Sequence, residues 1–462
     1  MDMEKRDHKK VLKALIQNFA DDLFIEFGTD IKDDTELKNF TEILNKIIFS
    51  LSEDKEISFD FINKYLYPFV ISLNIKDSYI FNIIKELESG KLYKKEIPKN
   101  FYNLAEIYGW KKKIYLRSVE FRNFTVLKDH KFEFSKGINI ILGKNKTGKS
   151  HLLKTGYFFC KVAGQNMPAI KANETLKDIF GLQSSDKFLS FSGDGDILLK
   201  AEFNLENNIS QIKYNIPFKG EPIAGKPSIT YPSGNKFFVK DNRNFVFIPP
   251  KETLSFYRLF LESANKPELD LTYKDITLSL KEPALKTKPI ICFETDKITE
   301  QYNLGGLFET EDGFNVTYGK DNIPIWLEAE GARKILALIY LIKNGSITPN
   351  TTIFWDEPES NLNPELLKLA ANILIKLSEY GVQIIVATHS LFFMREFDVA
   401  KEMGRDFPLK FFNLYFEDKK LALCSGKRLQ ELRAIRALDV SVDQFKRLEQ
   451  YRWDEAKKGE KS

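Results

Sequence analysis

Cysteine is scarce: Cys160, Cys292 and Cys424 lie far apart and form no CxxC pair. That spacing excludes a zinc ribbon and points to reduced thiols. Histidine is nearly as rare, with only His8, His130, His151 and His389, too few for an HNH-type nuclease set. No run of about 18 uncharged apolar residues exists, so no membrane span is expected. Met1-Asp2-Met3-Glu4-Lys5-Arg6 leads into no apolar signal core, so a cytoplasmic location is expected. A net charge of +4 over 462 residues predicts no strong grip on nucleic acid by itself. Sustained heptads and internal repeats are also missing, which argues against a long coiled-coil arm. What remains is ordinary globular composition, long enough for two or three domains.

The pattern of apolar residues divides the chain. In residues 1–110, Val11, Leu12, Leu15, Ile16 and Phe19 form a helical stripe, and two further segments repeat it, so a helical N-terminal domain is expected. It carries 16 Lys/Arg against 20 Asp/Glu, which is not the basic footprint of a DNA-binding module. Residues 111–180 switch to strands from Ile114, with a buried strand over Gly137–Leu142 and a helix from Lys149. Residues 181–324, richer in Gly, Pro and alternating runs, read as an inserted α+β subdomain. Residues 325–425 return to helix–strand alternation, which implies a parallel sheet covered on both faces. Residues 426–462 read as a helical tail, frayed over Ala456–Ser462.

The chemistry concentrates at three strand ends. Gly143-Lys-Asn-Lys-Thr-Gly-Lys-Ser150 fills every fixed position of the P-loop pattern, after a buried strand and at a helix start. Its glycines, Gly143 and Gly148, let the N–H groups of Lys144, Asn145, Lys146, Thr147 and their neighbours wrap phosphates at a positive helix end, with His151 next along the helix. Lys149 is expected on the β/γ-phosphates of ATP and the Ser150 hydroxyl on Mg²⁺. Thr351-Thr-Ile-Phe-Trp-Asp-Glu357 places Asp356 at the carboxyl end of a second buried strand, where it is expected to hold the Mg²⁺ shell. Glu357 is then the base that orients the attacking water. Val382-Gln-Ile-Ile-Val-Ala-Thr-His389-Ser390 ends a third buried strand, and His389 is expected to sense the γ-phosphate.

This order of motifs resembles the ABC ATPase superfamily, more narrowly the SMC/RecF/OLD branch in its AAA_21-like form. The resemblance covers about residues 114–180 and 325–424, and implies an α/β head of ABC type with a mixed sheet. Phe121-Arg-Asn-Phe124 is similar to the branch's opening strand and turn. Ala329-Glu-Gly-Ala-Arg-Lys334 resembles its signature motif, although the family's serine is replaced, giving Leu327-Glu-Ala-Glu-Gly331. The resemblance implies that Glu330, Gly331, Arg333 and Lys334 act in trans on a partner's nucleotide, in a homodimer or higher homo-oligomer. Glu357-Pro-Glu-Ser-Asn-Leu-Asn-Pro364 corresponds to the following D-loop.

Asn244-Phe-Val-Phe-Ile-Pro-Pro-Lys-Glu-Thr-Leu-Ser255 and Ala387-Thr-His-Ser-Leu-Phe-Phe393 look like ATPase subunits of anti-phage defence systems of the OLD, Septu and PARIS types. OLD enzymes carry a C-terminal Toprim nuclease, and the stretch after Ser390 is short for one. Effector chemistry, a nuclease or toxin, is therefore expected on a separate chain. The rival reading is a DNA-repair or chromosome-handling ATPase binding duplex DNA across its dimer. A transporter subunit fits less well without the signature serine, and a scaffold without hydrolysis is opposed by Glu357.

Overall fold

In a computed structural model, the described residues are 115–165, 167–182, 196–205, 208–217, 226–231, 245–263, 270–285, 300–310, 313–348 and 351–459. The expected helical domain over residues 1–110 lies outside them. The first strands are β1 (Tyr115–Arg122), β2 (Lys131–Glu133) and β3 (Ile138–Gly143), followed by α1 (Lys149–Gln165) and α2 (Ala169–Phe180). Then come β4 (Ile197–Leu205), β5 (Asn208–Ile216), β6 (Ser228–Thr230), β7 (Phe245–Ile248), α3 (Tyr257–Ser263) and α4 (Leu271–Lys281). A hairpin sheet of β8 (Gly306–Thr310), β9 (Gly313–Tyr318) and β10 (Asp321–Pro324) leads into α5 (Glu330–Lys343). The chain continues through β11 (Thr352–Asp356), α6 (Pro364–Glu379), β12 (Gln383–Ala387) and α7 (Leu391–Glu402), and then β13 (Leu409–Glu417), β14 (Lys420–Gly426) and α8 (Arg436–Gly459).

The central sheet runs β14-β13-β3-β12-β11-β7. The five strands β13, β3, β12, β11 and β7 run parallel, and β14 closes the edge as an antiparallel hairpin with β13. Strict alternation along these strands feeds two cores, as a sheet buried on both faces requires. Ile138, Ile140 and Leu142, with Ile353 and Trp355, pack on the side of α5, α6 and α7. Ile141, Phe354 and Ile385 face the opposite way, toward α1 and the second sheet. Trp355 is completely buried, and its truncation to Ala would cost about 3–5 kcal/mol in cavity and transfer terms.

The second sheet, β2-β1-β4-β5-β6, is antiparallel throughout. A buried glutamine fastens it to the first. Gln383, at the start of β12, accepts from Leu116 N at 3.0 Å and donates to Leu116 O at 2.9 Å. Its amide also donates to Ser135 O at 3.0 Å, so no part of this buried group is left idle.

Two expectations change here. The segment 181–324 shares its strands with the head: β4 pairs with β1, and β7 forms the edge of the central sheet beside β11. Among the described residues, β4 and β7 are completed by partners distant in sequence, β5 and β6 follow on from β4, and β8–β10 form a sheet of their own. At the other end, Ala456–Gly459 continue α8 instead of fraying. That helix exposes Phe445, Leu448, Tyr451 and Trp453 to solvent. Among the described residues no helix is long and apolar enough to cross a membrane.

Candidate active site: a phosphate loop beside an acidic strand end

Parallel register brings the site together. Asp356 at the end of β11 stands opposite Ala387 of β12, and Ala387 stands opposite Ile141 of β3. The three chains therefore leave the sheet on one edge: the P-loop from β3, Asp356–Glu357 from β11, and Thr388–His389 from β12. Backbone bonds extend this register by one residue, Glu357 N to Ala387 O at 2.9 Å and Thr388 N to Ile141 O at 3.0 Å.

Residues Gly143 to Ser150 form the turn from β3 into α1. Gly148 adopts φ +92°, and a Cβ there would stand 2.7 Å from Val126 Cγ1, so both backbone and space call for glycine. Thr147 is fully buried and donates its hydroxyl to Lys144 O at 2.8 Å, bracing the loop from inside. Lys144, Asn145 and Lys146 are exposed. Lys149 folds back over the loop, donating to Gly143 O at 3.0 Å and Lys144 O at 3.2 Å. Burial pushes its ammonium down to about 8, against the pull of Asp356, Glu357 and Glu359. A cation so held gains from any anion that replaces neutral carbonyls.

Burial pushes the Asp356 carboxyl up to about 6; the Ser150 hydroxyl, which donates to it, and Lys149 oppose the rise, while Glu357 adds to it. Its Oδ1 is buried without a hydrogen-bond partner among the described residues. An orphan carboxylate oxygen beside a serine hydroxyl is the hard-oxygen pair that suits Mg²⁺, which usually takes one or two protein oxygens plus phosphates. Among the described residues no group of three or more His, Cys, Asp or Glu could hold a metal ion.

Glu357 sits at φ +49°, a sparsely populated conformation for a side-chain-bearing residue. Its carboxylate Oε1 lies 3.5 Å from His389 Nε2, and both side chains stay partly open to solvent. Burial, then the charge of Lys149, lowers the His389 imidazole from its ordinary value, while Glu359 and Glu357 oppose the drop. The pair can therefore hold a polar atom between a carboxylate acceptor and a largely neutral ring.

The remaining expected residues fall elsewhere. His151 seats its ring against Phe180 with centroids 5.5 Å apart, and burial followed by Lys154 lowers it to about 4. Glu330 and Gly331 open α5, whose N-cap position, Ala329, offers no side-chain cap. Arg333 and Lys334 turn into their own chain. Arg333 Nε pairs with the buried Glu252 at 3.2 Å, and its Nη1 donates to Glu328 O at 2.7 Å. Lys334 Nζ donates to Ser360 O at 2.8 Å. The signature motif gives no hint of these internal acceptors, because Glu252 and Ser360 are remote in sequence.

Sequence reasoning also passes over Glu359, whose Oε1 accepts the backbone N–H groups of His389 and of Ser390, the latter at 3.2 Å. The available signal is a second acid in the short turn between Glu357 and Pro364.

Residues 312–395 match the family model described as "AAA domain, putative AbiEii toxin, Type IV TA system". This stretch is similar to the AAA_21 family. The match spans α5, β11, α6 and β12 with both acidic and histidine strand ends, and the phosphate loop lies N-terminal to it. No curated protein matches the sequence. Among solved structures, an SMC head bound to the C-terminal winged-helix domain of ScpA is 17% identical, covering 68% of this chain and 98% of that one with a TM-score of 0.44. A Pyrococcus furiosus SMC head with an extended coiled coil, bound to the C-terminal domain of ScpA, is 15% identical over 73% and 100%, with a TM-score of 0.42. The recombination mediator RecF is 14% identical over 68% and 98%, with a TM-score of 0.35.

Proposed function

We propose that this chain hydrolyses ATP with Mg²⁺ and acts as a nucleotide-controlled switch, the ATPase subunit of an anti-phage defence system with a separate effector. The observation that carries the first half is the convergence of Lys149, Asp356, Glu357 and His389 on one edge of three adjacent parallel strands. Lys149 and the loop N–H groups bind the phosphates, and Ser150 with Asp356 would hold Mg²⁺, which supplies charge neutralisation when bound. Glu357 accepts a proton from, and orients, the attacking water; His389 donates toward the γ-phosphate. The strand-end geometry fixes all four groups on rigid elements, so little reorganisation is left for the reaction step.

The switch half rests on α5. Its first N–H groups carry no side-chain cap, and an uncapped helix start favours negative charge. In a homodimer the γ-phosphate bound at one P-loop would meet Glu330 and Gly331 of the second copy, giving contacts that differ between joined and separated subunits. The defence reading is supported by the description of the matching family, which names a toxin system, and by the resemblance of the 244–255 and 387–393 segments. Residues 1–110, net acidic, fit protein contact better than phosphate contact.

Light scattering of the full-length Glu357→Gln chain with and without Mg-ATP tests the switch. An ATP-dependent rise in mass is expected, and an unchanged mass in a protein that demonstrably binds ATP would sink it. Deleting residues 1–110 should alter assembly or effector capture and spare ATP binding. Strong, salt-sensitive retention of duplex DNA would replace the defence reading with DNA handling.

A further inference from the structure

The loop between β11 and α6 is gripped from two sides. From α5, the buried Lys334 reaches Ser360 O at 2.8 Å. One turn earlier Gly331 lies so close that a Cβ would stand 2.6 Å from Asn361 O and 3.1 Å from Leu362 Cδ2. Gly331 thus has a packing reason to be glycine, independent of any ligand. From the other side, Glu359 receives the N–H groups of His389 and Ser390 at the start of α7, where a negative charge is favourable. Its second oxygen, Oε2, is buried with no hydrogen-bond partner among the described residues. The loop has little slack of its own. Ser360 donates its N–H and its hydroxyl to Glu357 O at 3.1 and 3.0 Å, and Leu362 N reaches Glu359 O at 3.1 Å. Glu357 and Asn361 both hold positive φ, +49° and +63°.

We propose that Lys334 and Glu359 form a clasp that joins the α5 end, the 357–363 loop and the His389 turn into one moving unit. Glu359 is then a positioning residue for hydrolysis. It fixes the backbone that carries His389 against the loop that begins with Glu357, and so sets the separation of the two side chains. Lys334 ties that loop to the helix end which, in a dimer, would face the second copy's nucleotide. A shift of α5 would be delivered through this loop to the chain's own Glu357–His389 pair. The buried ammonium of Lys334 is suited to such a link. Engaged with Ser360 O, it transmits displacement and is not free for a phosphate. This inference rests on the ATPase reading of the site.

The test uses the full chain, measuring ATP affinity and turnover separately. Glu359→Ala should lower kcat by about 10²-fold, the usual loss when reacting groups are misplaced by an ångström, while the Kd for ATP stays within about threefold. Glu359→Gln keeps an acceptor for the two N–H groups and should recover most of that loss. Lys334→Met should lower kcat by about tenfold, and adding it to Glu359→Ala should cost little more, because both act through one loop. Melting temperatures separate this from simple support of the fold. Losses that track the melting temperature, a Gln variant no better than Ala, and additive effects would overturn the clasp. Should Glu359→Ala not fold, Glu359→Leu, which also removes the acceptor but keeps the bulk, carries with Lys334→Met the same comparison of kcat, Kd and additivity. Wild-type turnover in the Glu359 variants beside a dead Glu357→Gln would overturn the clasp alone. No phosphate release by the wild-type chain at any ATP concentration would overturn the ATPase reading with it.

Discussion

Two buried lysines, Lys149 and Lys334, stand at helix starts in this molecule, and sequence alone reads both as phosphate contacts. In each case burial lowers the ammonium from its ordinary value. Their partners differ. Lys149 rests on carbonyls of its own loop, at the edge where Asp356, Glu357 and His389 converge. Lys334 is committed to Ser360 O inside the fold, and its neighbour Arg333 to Glu252. Equal residue type and similar burial therefore meet different acceptors, and on the proposed reading one cation is poised for an anion while the other is held inside the fold. What differs is whether the acceptor belongs to the lysine's own loop or to a segment remote in sequence.

The contrast breaks most sharply at the P-loop. Lys149→Ala should abolish measurable ATP binding, since the loop loses its one point charge on the β/γ-phosphates; a calorimetric affinity near that of wild type would contradict the contrast. Arg333→Ala should act on stability instead. It leaves Glu252, whose side chain is only 4% exposed, without its cation, at a cost of about 3 kcal/mol. Thermal melting reads this directly, and an unaltered midpoint combined with lost ATP-dependent assembly would restore the trans role expected from sequence.

A pH effect comes next in size. With Asp356 raised to about 6, its carboxyl gains a proton as pH falls through that value, and a protonated carboxyl is a poor Mg²⁺ ligand. Apparent affinity for Mg-ATP should therefore weaken between pH 7 and pH 5, whereas Mg-free ATP should be affected less. Equal weakening of both would place the titration elsewhere. The smallest change is expected at His151. Because its ring packs on Phe180, His151→Phe should leave the KM for ATP within about twofold, a core-like swap of similar shape. A tenfold rise would return His151 to the nucleotide.

Much of this was legible because local pattern and tertiary role agree. Three runs of apolar residues ending in Gly143, Asp356–Glu357 and Thr388–His389 announce buried parallel strands, and parallel strands carry their chemistry at the carboxyl edge. Asn363 and Pro364 signal the start of α6, and the structure shows Asn363 Oδ1 accepting from Leu366 N at 2.8 Å. The partners of distant segments were not legible. Nothing local tells that β4 will pair with β1, or that β7 will extend the central sheet, because those bonds join residues far apart in the chain. The same blindness hid Glu252 and Ser360 as acceptors for Arg333 and Lys334. Glu359 was visible as an acid in a turn, but its work is done on backbone N–H groups, which leave no trace in side-chain patterns.

The central claim is that Lys149, Asp356, Glu357 and His389 form one hydrolytic site, and single-turnover phosphate release by Glu357→Gln tests it most directly. With Mg-ATP bound at wild-type affinity, loss of the base should slow release by about 10²–10⁴-fold, the usual span for general base catalysis. Release at the wild-type rate from a fully ATP-loaded Glu357→Gln chain would contradict it.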